Sequence, residues 1–187
     1  LYVFANGSRY EGTWINDKRT GQGIYHYANG SVYEGNFYDG KRNGLGKYEN
    51  INGDIYDGDW KNNMMDGKGI YFFINGDVYI GDWYNDMRHG EGTFSFSKGK
   101  KYKGSFLQNK IMGKGTMSTS DGKTFTGNWI DGLMEGEGFF QDLNGNSYKG
   151  QWKNNKFNGS GVFKYSSGDI YEGEWRNGLR VGEGTLS

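Results

Sequence analysis

The sequence has no cysteine and no proline, and its 22 basic and 22 acidic residues cancel over 187 positions. The lack of cysteine excludes disulfides, cysteine zinc sites and thiol catalysis. A zero formal charge argues against a nucleic-acid-binding protein, which carries a clustered basic excess. No run approaches the roughly 18 apolar residues of a helical membrane span.

Aliphatic residues are also scarce, whereas aromatic residues make up 18% of the chain and glycine occurs 35 times. So few aliphatic side chains are typical of disordered chains, but disorder also calls for a high net charge. The absence of proline and the order of the residues favour the other interpretation, in which tyrosine and tryptophan build the core.

Aromatic residues and glycines return with a step of 23 residues and no insertion. The motif aromatic-x-Gly-x-aromatic begins at Tyr10, Tyr33, Tyr56, Tyr79, Tyr102, Phe125, Tyr148 and Tyr171. A Gly-x-Gly pair follows in each repeat, the first at Gly21 and Gly23. Such a period indicates a repeat protein in which each repeat is one supersecondary unit.

We interpret each repeat as a β-hairpin. Residues 10–15 alternate large and polar side chains, which is typical of a strand. Asn16 and Asp17 tolerate the positive φ that both central residues of a type I′ turn require. A second turn at Asn29 and Gly30 leads into the next repeat. The sequence therefore predicts an all-β fold, an elongated single-layer antiparallel β-solenoid of eight hairpins that spans residues 1–187.

Pairing across the first turn predicts which side chains share a face. We expect Trp14 opposite Arg19, Gly12 opposite Gly21, and Tyr10 opposite Gly23. Because side chains alternate with period two, most aromatic and glycine columns then lie on one face. Glycines would leave hollows for the rings, and ring packing would replace the second layer that most sheets need.

Residues 171–184 read Tyr-Glu-Gly-Glu-Trp-Arg-Asn-Gly-Leu-Arg-Val-Gly-Glu-Gly, and residues 33–44 follow the same pattern. These motifs resemble the MORN repeat (membrane occupation and recognition nexus), and the resemblance covers the whole chain. It departs at Phe125, which replaces the usual tyrosine, and at Phe37 and Phe106, which replace tryptophan. The family implies a rod of stacked hairpins used in scaffolding, helix binding or tethering near membranes, or as a non-catalytic arm of an enzyme.

The ends of the sequence fall inside the repeat pattern. Tyr2 and Phe4 correspond to Tyr25 and Tyr27, so the chain begins within a returning strand. We therefore expect a single MORN array that is a fragment of a longer protein. Its composition resembles that of the MORN-only scaffold proteins of protists.

No arrangement of residues predicts catalysis. His26 and His89 occupy unrelated positions of the repeat, so no repeated base or metal site exists. The Gly-Lys-Gly segments lack the spacing and the following helix of a phosphate-binding loop. We expect no enzymatic activity, no cofactor and no metal.

The positions after the first turn vary most, and several are apolar where the family pattern is basic. Exposed methionine is typical of adaptable binding surfaces. We therefore expect a groove on the aromatic face that binds a protein partner, with an amphipathic helix as a fitting ligand. The candidate residues are Trp60, Trp83, Trp129, Trp152, Met65, Arg88, Ile111, Met134 and Phe157. The alternative is that the variable side chains only shield the rings.

Two further surfaces are candidates. Four lysines within six residues could attract anionic lipid head groups at ~1 kcal/mol per charge, or could simply line a solvated turn. They are Lys98, Lys100, Lys101 and Lys103. The last strand would leave backbone groups unpaired, which favours a two-fold homodimer through this edge. Its candidate residues are Leu179, Val181, Glu183 and Leu186.

The sequence thus favours a non-catalytic scaffolding module that binds a protein partner and self-associates, without nucleic acid. The alternatives are a peripheral membrane module that binds anionic phospholipid, and an accessory domain of a larger enzyme or a ciliary spoke protein. The expected location is cytoplasmic, either associated with the cytoskeleton or peripheral to a membrane.

Overall fold

The computed structural model describes residues 1–187 and contains strands and turns but no helix. The chain divides into two compact units, Leu1–Ser97 (unit 1) and Lys98–Ser187 (unit 2). Unit 1 contains β1 (Tyr2–Val3), β2 (Arg9–Ile15), β3 (Lys18–His26), β4 (Val32–Tyr38), β5 (Lys41–Glu49), β6 (Ile55–Lys61), β7 (Met64–Phe72), β8 (Val78–Tyr84) and β9 (Met87–Ser95). Unit 2 contains β10 (Lys101–Leu107), β11 (Lys110–Ser118), β12 (Thr124–Ile130), β13 (Leu133–Gln141), β14 (Ser147–Lys153), β15 (Lys156–Lys164), β16 (Ile170–Arg176) and β17 (Leu179–Leu186).

Within each unit, every strand pairs antiparallel with the next strand along the chain. The predicted hairpin turn is confirmed, since Asn16 and Asp17 have φ angles of 48° and 59°. Both angles lie in the left-handed region that a type I′ turn requires. The predicted all-β hairpin repeat is therefore confirmed in both units.

The register corrects two of the predicted pairs. Trp14 lies opposite Arg19 as expected, but Gly12 lies opposite Gly23, and Tyr10 lies opposite Tyr25. Residues 21 and 22 form a bulge, because Gly21 adopts a φ of 63° that side chains rarely adopt. The shift is two residues, so every side chain stays on its predicted face.

The core is the aromatic face of the sheet itself. The tyrosines that begin the repeats are exposed by no more than 7%; they are Tyr10, Tyr33, Tyr56, Tyr79, Tyr102, Tyr148 and Tyr171. The hydroxyl of Tyr33 donates to the carbonyl of Asn36 at 2.9 Å. Its ring lies edge-on to Trp60, with centroids 5.4 Å apart, and a Cβ on Gly46 would lie 2.5 Å from its Cζ. Ring packing over bare glycine therefore supplies the core that the aliphatic residues are too few to build.

Hydrogen bonds between the second turns tie successive repeats together. The hydroxyl of Ser31 accepts from the Ile51 amide at 3.1 Å, and the carboxylate of Asp54 accepts from the Ile74 amide at 2.8 Å. At the start of unit 2 the corresponding residues are Lys100 and Lys123, whose side chains cannot accept a hydrogen bond, whereas Asn146 accepts from the Ser166 amide at 2.8 Å. Side-chain hydrogen bonds therefore connect successive turns more regularly in unit 1 than at the start of unit 2.

Candidate functional site

One column of side chains covers the rings on the aromatic face, and we call it the capping column. Each member lies opposite a tryptophan or phenylalanine across a hairpin. The column consists of Arg19, Arg42, Met65, Arg88, Ile111, Met134, Phe157 and Arg180.

The arginines of this column are held by the rings below them. The guanidinium carbon of Arg42 lies 4.1 Å from the ring centroid of Trp60, within the range of a cation–π interaction. Arg42 also donates to the carbonyl of Asn63 at 2.6 Å. Arg88 lies 5.0 Å from the centroid of Phe94, and burial lowers the pKa of its guanidinium. These arginine side chains therefore cover the rings below them.

In unit 2, three consecutive members of the capping column are apolar instead of arginine. Ile111 and Phe157 are half-buried, and Met134 is only 1% exposed. The ring of Phe157 stacks on Tyr148 with centroids 3.8 Å apart. Three of the four members of the capping column in unit 2 are thus apolar, and two of these, Ile111 and Phe157, are partly exposed, whereas Arg180 is charged.

The repeat that begins at Phe125 departs from its neighbours. Phe125 is half-buried, and the terminal methyl of Met134, not the ring of Phe125, packs against Gly127 and Gly138. Trp152 is left with an unpartnered indole Nε1, although Trp129 donates to the carbonyl of Gly115 at 3.0 Å. The loss of a tyrosine therefore changes the packing over two repeats.

A cavity of about 190 Å³ opens at this irregular place in unit 2. It is lined by Lys100, Met117, Thr119, Phe125, Trp129, Gly132, Trp152 and Asn155. Its walls are mainly aromatic and aliphatic, with a few polar groups at the rim, as is usual for sites that accept an apolar group.

The predicted groove residues fall into two groups, those that are buried beneath the aromatic face and those that are partly exposed on it. The tryptophans and Met134 are no more than 6% exposed, so they belong to the packed floor; the tryptophans are Trp60, Trp83, Trp129 and Trp152. Met65 and Arg88 are half-buried in unit 1, and Ile111 and Phe157 are half-buried in unit 2. These four half-buried side chains are the more exposed of the predicted groove residues, while Trp129 and Trp152 also line the cavity.

The four lysines of the predicted cluster do not lie on the same face of the sheet. Lys101 and Lys103 flank the buried Tyr102 on β10, so they project from the face opposite the aromatic core. Lys100 lines the cavity on the aromatic face, and Lys98 lies in the preceding turn. All four are exposed, and lipid binding by them stays a prediction.

The predicted dimer edge lies on β17, which pairs with β16 along one side. Leu179 and Leu186 are 70% and 64% exposed. Glu183 is exposed and Val181 is half-buried. Self-association through this strand stays a prediction.

The residues hold no cluster of three or more histidine, aspartate or glutamate side chains placed to bind a metal ion. His26 and His89 lie on different hairpins, and the Nδ1 atom of His89 is buried without a partner. The structure also contains no helix that is long and apolar enough to span a membrane.

Sequence reasoning missed an apolar patch on the other face of unit 1. Ile70 lies opposite Ile80, and Phe72 lies opposite Val78, all on the face away from the tyrosine core. The signal was present in the sequence, because isoleucine at position 80 interrupts a column that is polar in every other repeat.

Comparison with known proteins agrees with the repeat. The MORN repeat family matches at residues 10–32, 33–55, 56–78, 79–101, 102–124, 125–147, 148–170 and 171–187. No curated protein matches the sequence.

Solved structures of similar fold include the wild-type TCP10 domain of Danio rerio CPAP, with a TM-score of 0.51 and 15% identity over 99% of this chain and 98% of that chain. The Drosophila melanogaster SAS-4 TCP domain, solved in complex with a proline-rich motif of Ana2, has a TM-score of 0.49 and 13% identity over 100% of this chain and 93% of that chain. At 15% identity the likeness to the Danio rerio domain concerns the fold alone. The family match covers nearly all of the sequence, and the chain belongs to the MORN repeat family.

Proposed function

We propose that this chain is a non-catalytic protein-interaction module whose binding surface is the aromatic face of unit 2. The observation that carries the proposal is the run of apolar caps beside a cavity. Ile111 and Phe157 are half-buried, and the cavity of about 190 Å³ between their repeats has Trp129 and Trp152 in its wall.

An amphipathic helix of a partner protein fits this surface. Such a helix places apolar anchors at i, i+3, i+4 and i+7, and grooves of this kind take those anchors into apolar pockets. One anchor would enter the cavity while its neighbours contact Ile111 and Phe157. Arg180, which lies 5.1 Å from the ring centroid of Tyr171, would pair with an acidic residue of the helix and fix its direction.

The proposal also includes self-association and a cellular location. The exposed Leu179 and Leu186 favour a homodimer through β17, since exposed strand edges recruit further strands. The MORN family implies a scaffold that associates with the cytoskeleton. The lysines leave a peripheral membrane contact as the second candidate, which sedimentation with anionic vesicles over a salt series would test.

The repeat itself provides the variant that tests the groove. The capping column accepts arginine in four repeats, so Ile111→Arg with Phe157→Arg should keep the rings covered while removing the apolar surface. We expect pull-down from native cells to capture a partner with the natural chain and to lose it with the double variant. The double variant must keep the natural circular dichroism and elution volume. Capture of the same partner at unchanged yield would contradict the proposal.

A further inference from the structure

Unit 1 carries an apolar patch on the face opposite the tyrosine core. We call it the back-face patch; it consists of Ile55, Ile70, Phe72, Val78 and Ile80. Across β6, β7 and β8, Ile55 lies opposite Phe72, which in turn lies opposite Val78, and Ile70 lies opposite Ile80. Phe72 and Ile80 are 42% and 51% exposed, so the patch presents open apolar surface on three adjacent strands.

The fold does not require the two most exposed members of this patch, Phe72 and Ile80. The position of Ile80 is occupied in the other repeats by Glu11, Glu34, Asp57, Lys103, Thr126, Lys149 and Glu172. The position of Phe72 is occupied by His26, Glu49, Ser95, Ser118, Gln141, Lys164 and Ser187. Every one of these residues is polar or charged, and the hairpins that carry them form the same ladder. The two apolar side chains are therefore dispensable for the hairpin, and exposed apolar surface of this kind marks interaction sites.

The charges around the patch are negative. Asp57 lies opposite Ile70 on the same face, and Asp59 follows it two residues along β6. The nearby lysines already have partners, because Lys47 pairs with Glu49 at 2.6 Å and Lys68 pairs with Asp82. Asp57 takes part in no ion pair, although Lys47 lies opposite it, and Asp59 accepts only the backbone amide of Lys68 at 2.9 Å. The carboxylates beside the patch therefore outnumber the lysines and can pair with a cationic ligand.

Unit 1 as a whole also has more acidic than basic side chains. The formal charge of zero conceals an uneven distribution, since residues 1–97 contain nine basic and 13 acidic side chains. Residues 98–187 contain 13 basic and nine acidic side chains. A ligand of the back-face patch should therefore be basic, and electrostatic steering would speed its approach.

The spacing of the patch matches a helix that crosses the strands. Neighbouring strands lie about 4.8 Å apart, so three strands place side chains at intervals of about 4.8 Å. A helix rises about 1.5 Å per residue, which puts residues i, i+3 and i+7 about 4.5 and 10.5 Å along its axis. We propose that the back-face patch binds an amphipathic helix of a partner protein whose apolar stripe is flanked by lysine or arginine.

The test measures binding of two designed helical peptides to the intact chain by fluorescence anisotropy at low salt. Both peptides carry leucine at i, i+3, i+4 and i+7, and they differ in having lysine or glutamate along the flank. We expect the lysine peptide to bind at least tenfold more tightly than the glutamate peptide. Equal affinity for both peptides would overturn the proposal.

Two variants taken from other repeats locate the site. Phe72→Ser with Ile80→Thr copies Ser95 and Thr126, so we expect the variant to keep the natural circular dichroism while lysine-peptide affinity falls at least tenfold. Asp57→Lys copies Lys103 and should shift the preference toward the glutamate peptide. Ile111→Arg with Phe157→Arg removes the apolar surface of the aromatic face, which could hold either peptide, so the tenfold preference for the lysine peptide should persist in this variant. Loss of binding only in that variant would assign the peptide to the groove and overturn the proposal.

Self-association of the natural chain that the back-face variant abolishes would overturn it as well, because the occupant would then be a second copy.

Discussion

The terminal methyl of Met134 lies against Gly138, in the space that a tyrosine ring fills elsewhere. In the next repeat, a Cβ added to Gly161 would instead lie 2.5 Å from ring atoms of Tyr148. The substitution of Phe125 for tyrosine is therefore compensated from the capping column. The compensation is incomplete, since the indole Nε1 of Trp152 has no acceptor.

Restoring the usual residues should strengthen this repeat. Phe125→Tyr with Met134→Arg should return a phenol ring to the glycine pair and free the carbonyl of Gly138 for Trp152. Each regained hydrogen bond is worth about 1 kcal/mol, so we expect the free energy of unfolding to rise by about 1–2 kcal/mol. Urea unfolding measures the change. Met134→Ala alone should lower the stability by about 2–5 kcal/mol, because it empties a buried site. A double variant less stable than the natural chain would show that Met134 does not stand in for a tyrosine.

Glycines that lie under rings should be more sensitive than glycines in turns. A Cβ on Gly115 would lie 2.5 Å from Cζ of Tyr102, whereas nothing lies within 4 Å of a Cβ on Gly132. Gly115→Ala should therefore cost about 1–3 kcal/mol or more through overpacking. Gly132→Ala should cost about 1–2 kcal/mol, because its φ of 79° strains a side chain. Thermal unfolding of the two variants compares them, and a Gly132→Ala variant that melts below Gly115→Ala would refute the ring-over-glycine core.

Alkaline pH should unfold the protein through its tyrosines. Burial raises the pKa of Tyr71 and of Tyr148 to about 12, and it raises the pKa of Tyr33, Tyr56 and Tyr79 as well. In the unfolded chain tyrosine ionises near pH 10, so protons leave the unfolded state first as the pH rises. The stability is therefore complete below about pH 10 and is lost between about pH 10 and pH 12.

The urea midpoint as a function of pH measures this loss. Tyr148→Phe provides the matched control, since it removes one titrating group at a position where phenylalanine already occurs in the repeat. We expect a shallower fall in the midpoint for this variant. A midpoint that stays constant up to about pH 12 would mean that the tyrosines are not protected from ionisation.

The repeat and its two faces could be predicted from the sequence because they depend on local rules. Paired Asn and Asp residues select the hairpin turn, and the period of two then decides which side chains share a face. The offset of the strands could not be predicted in this way. It depends on the bulge at Gly21, and a glycine in Gly-x-Gly is compatible with both regular and bulged strands.

The candidate site was only partly predictable for a related reason. The variable column can be located in the sequence, but the exposure of each member depends on the rings around it. Met134 is buried because Phe125 leaves a vacancy, whereas Ile111 stays half-buried above Phe106. The exposure of a tryptophan also cannot be read from its position in the repeat. Trp14 and Trp60 occupy the same position, but they are 38% and 4% exposed.

Cysteine labelling tests most directly whether a partner binds the aromatic face of unit 2, since the natural chain has no cysteine of its own. Ile111→Cys places a single thiol on the aromatic face, and Thr126→Cys places one on the opposite face. The measurement is the rate of thiol modification with and without the partner captured by pull-down. The account predicts that the partner slows modification of Ile111→Cys strongly and leaves Thr126→Cys unchanged. Protection of Thr126→Cys with none at Ile111→Cys would contradict it.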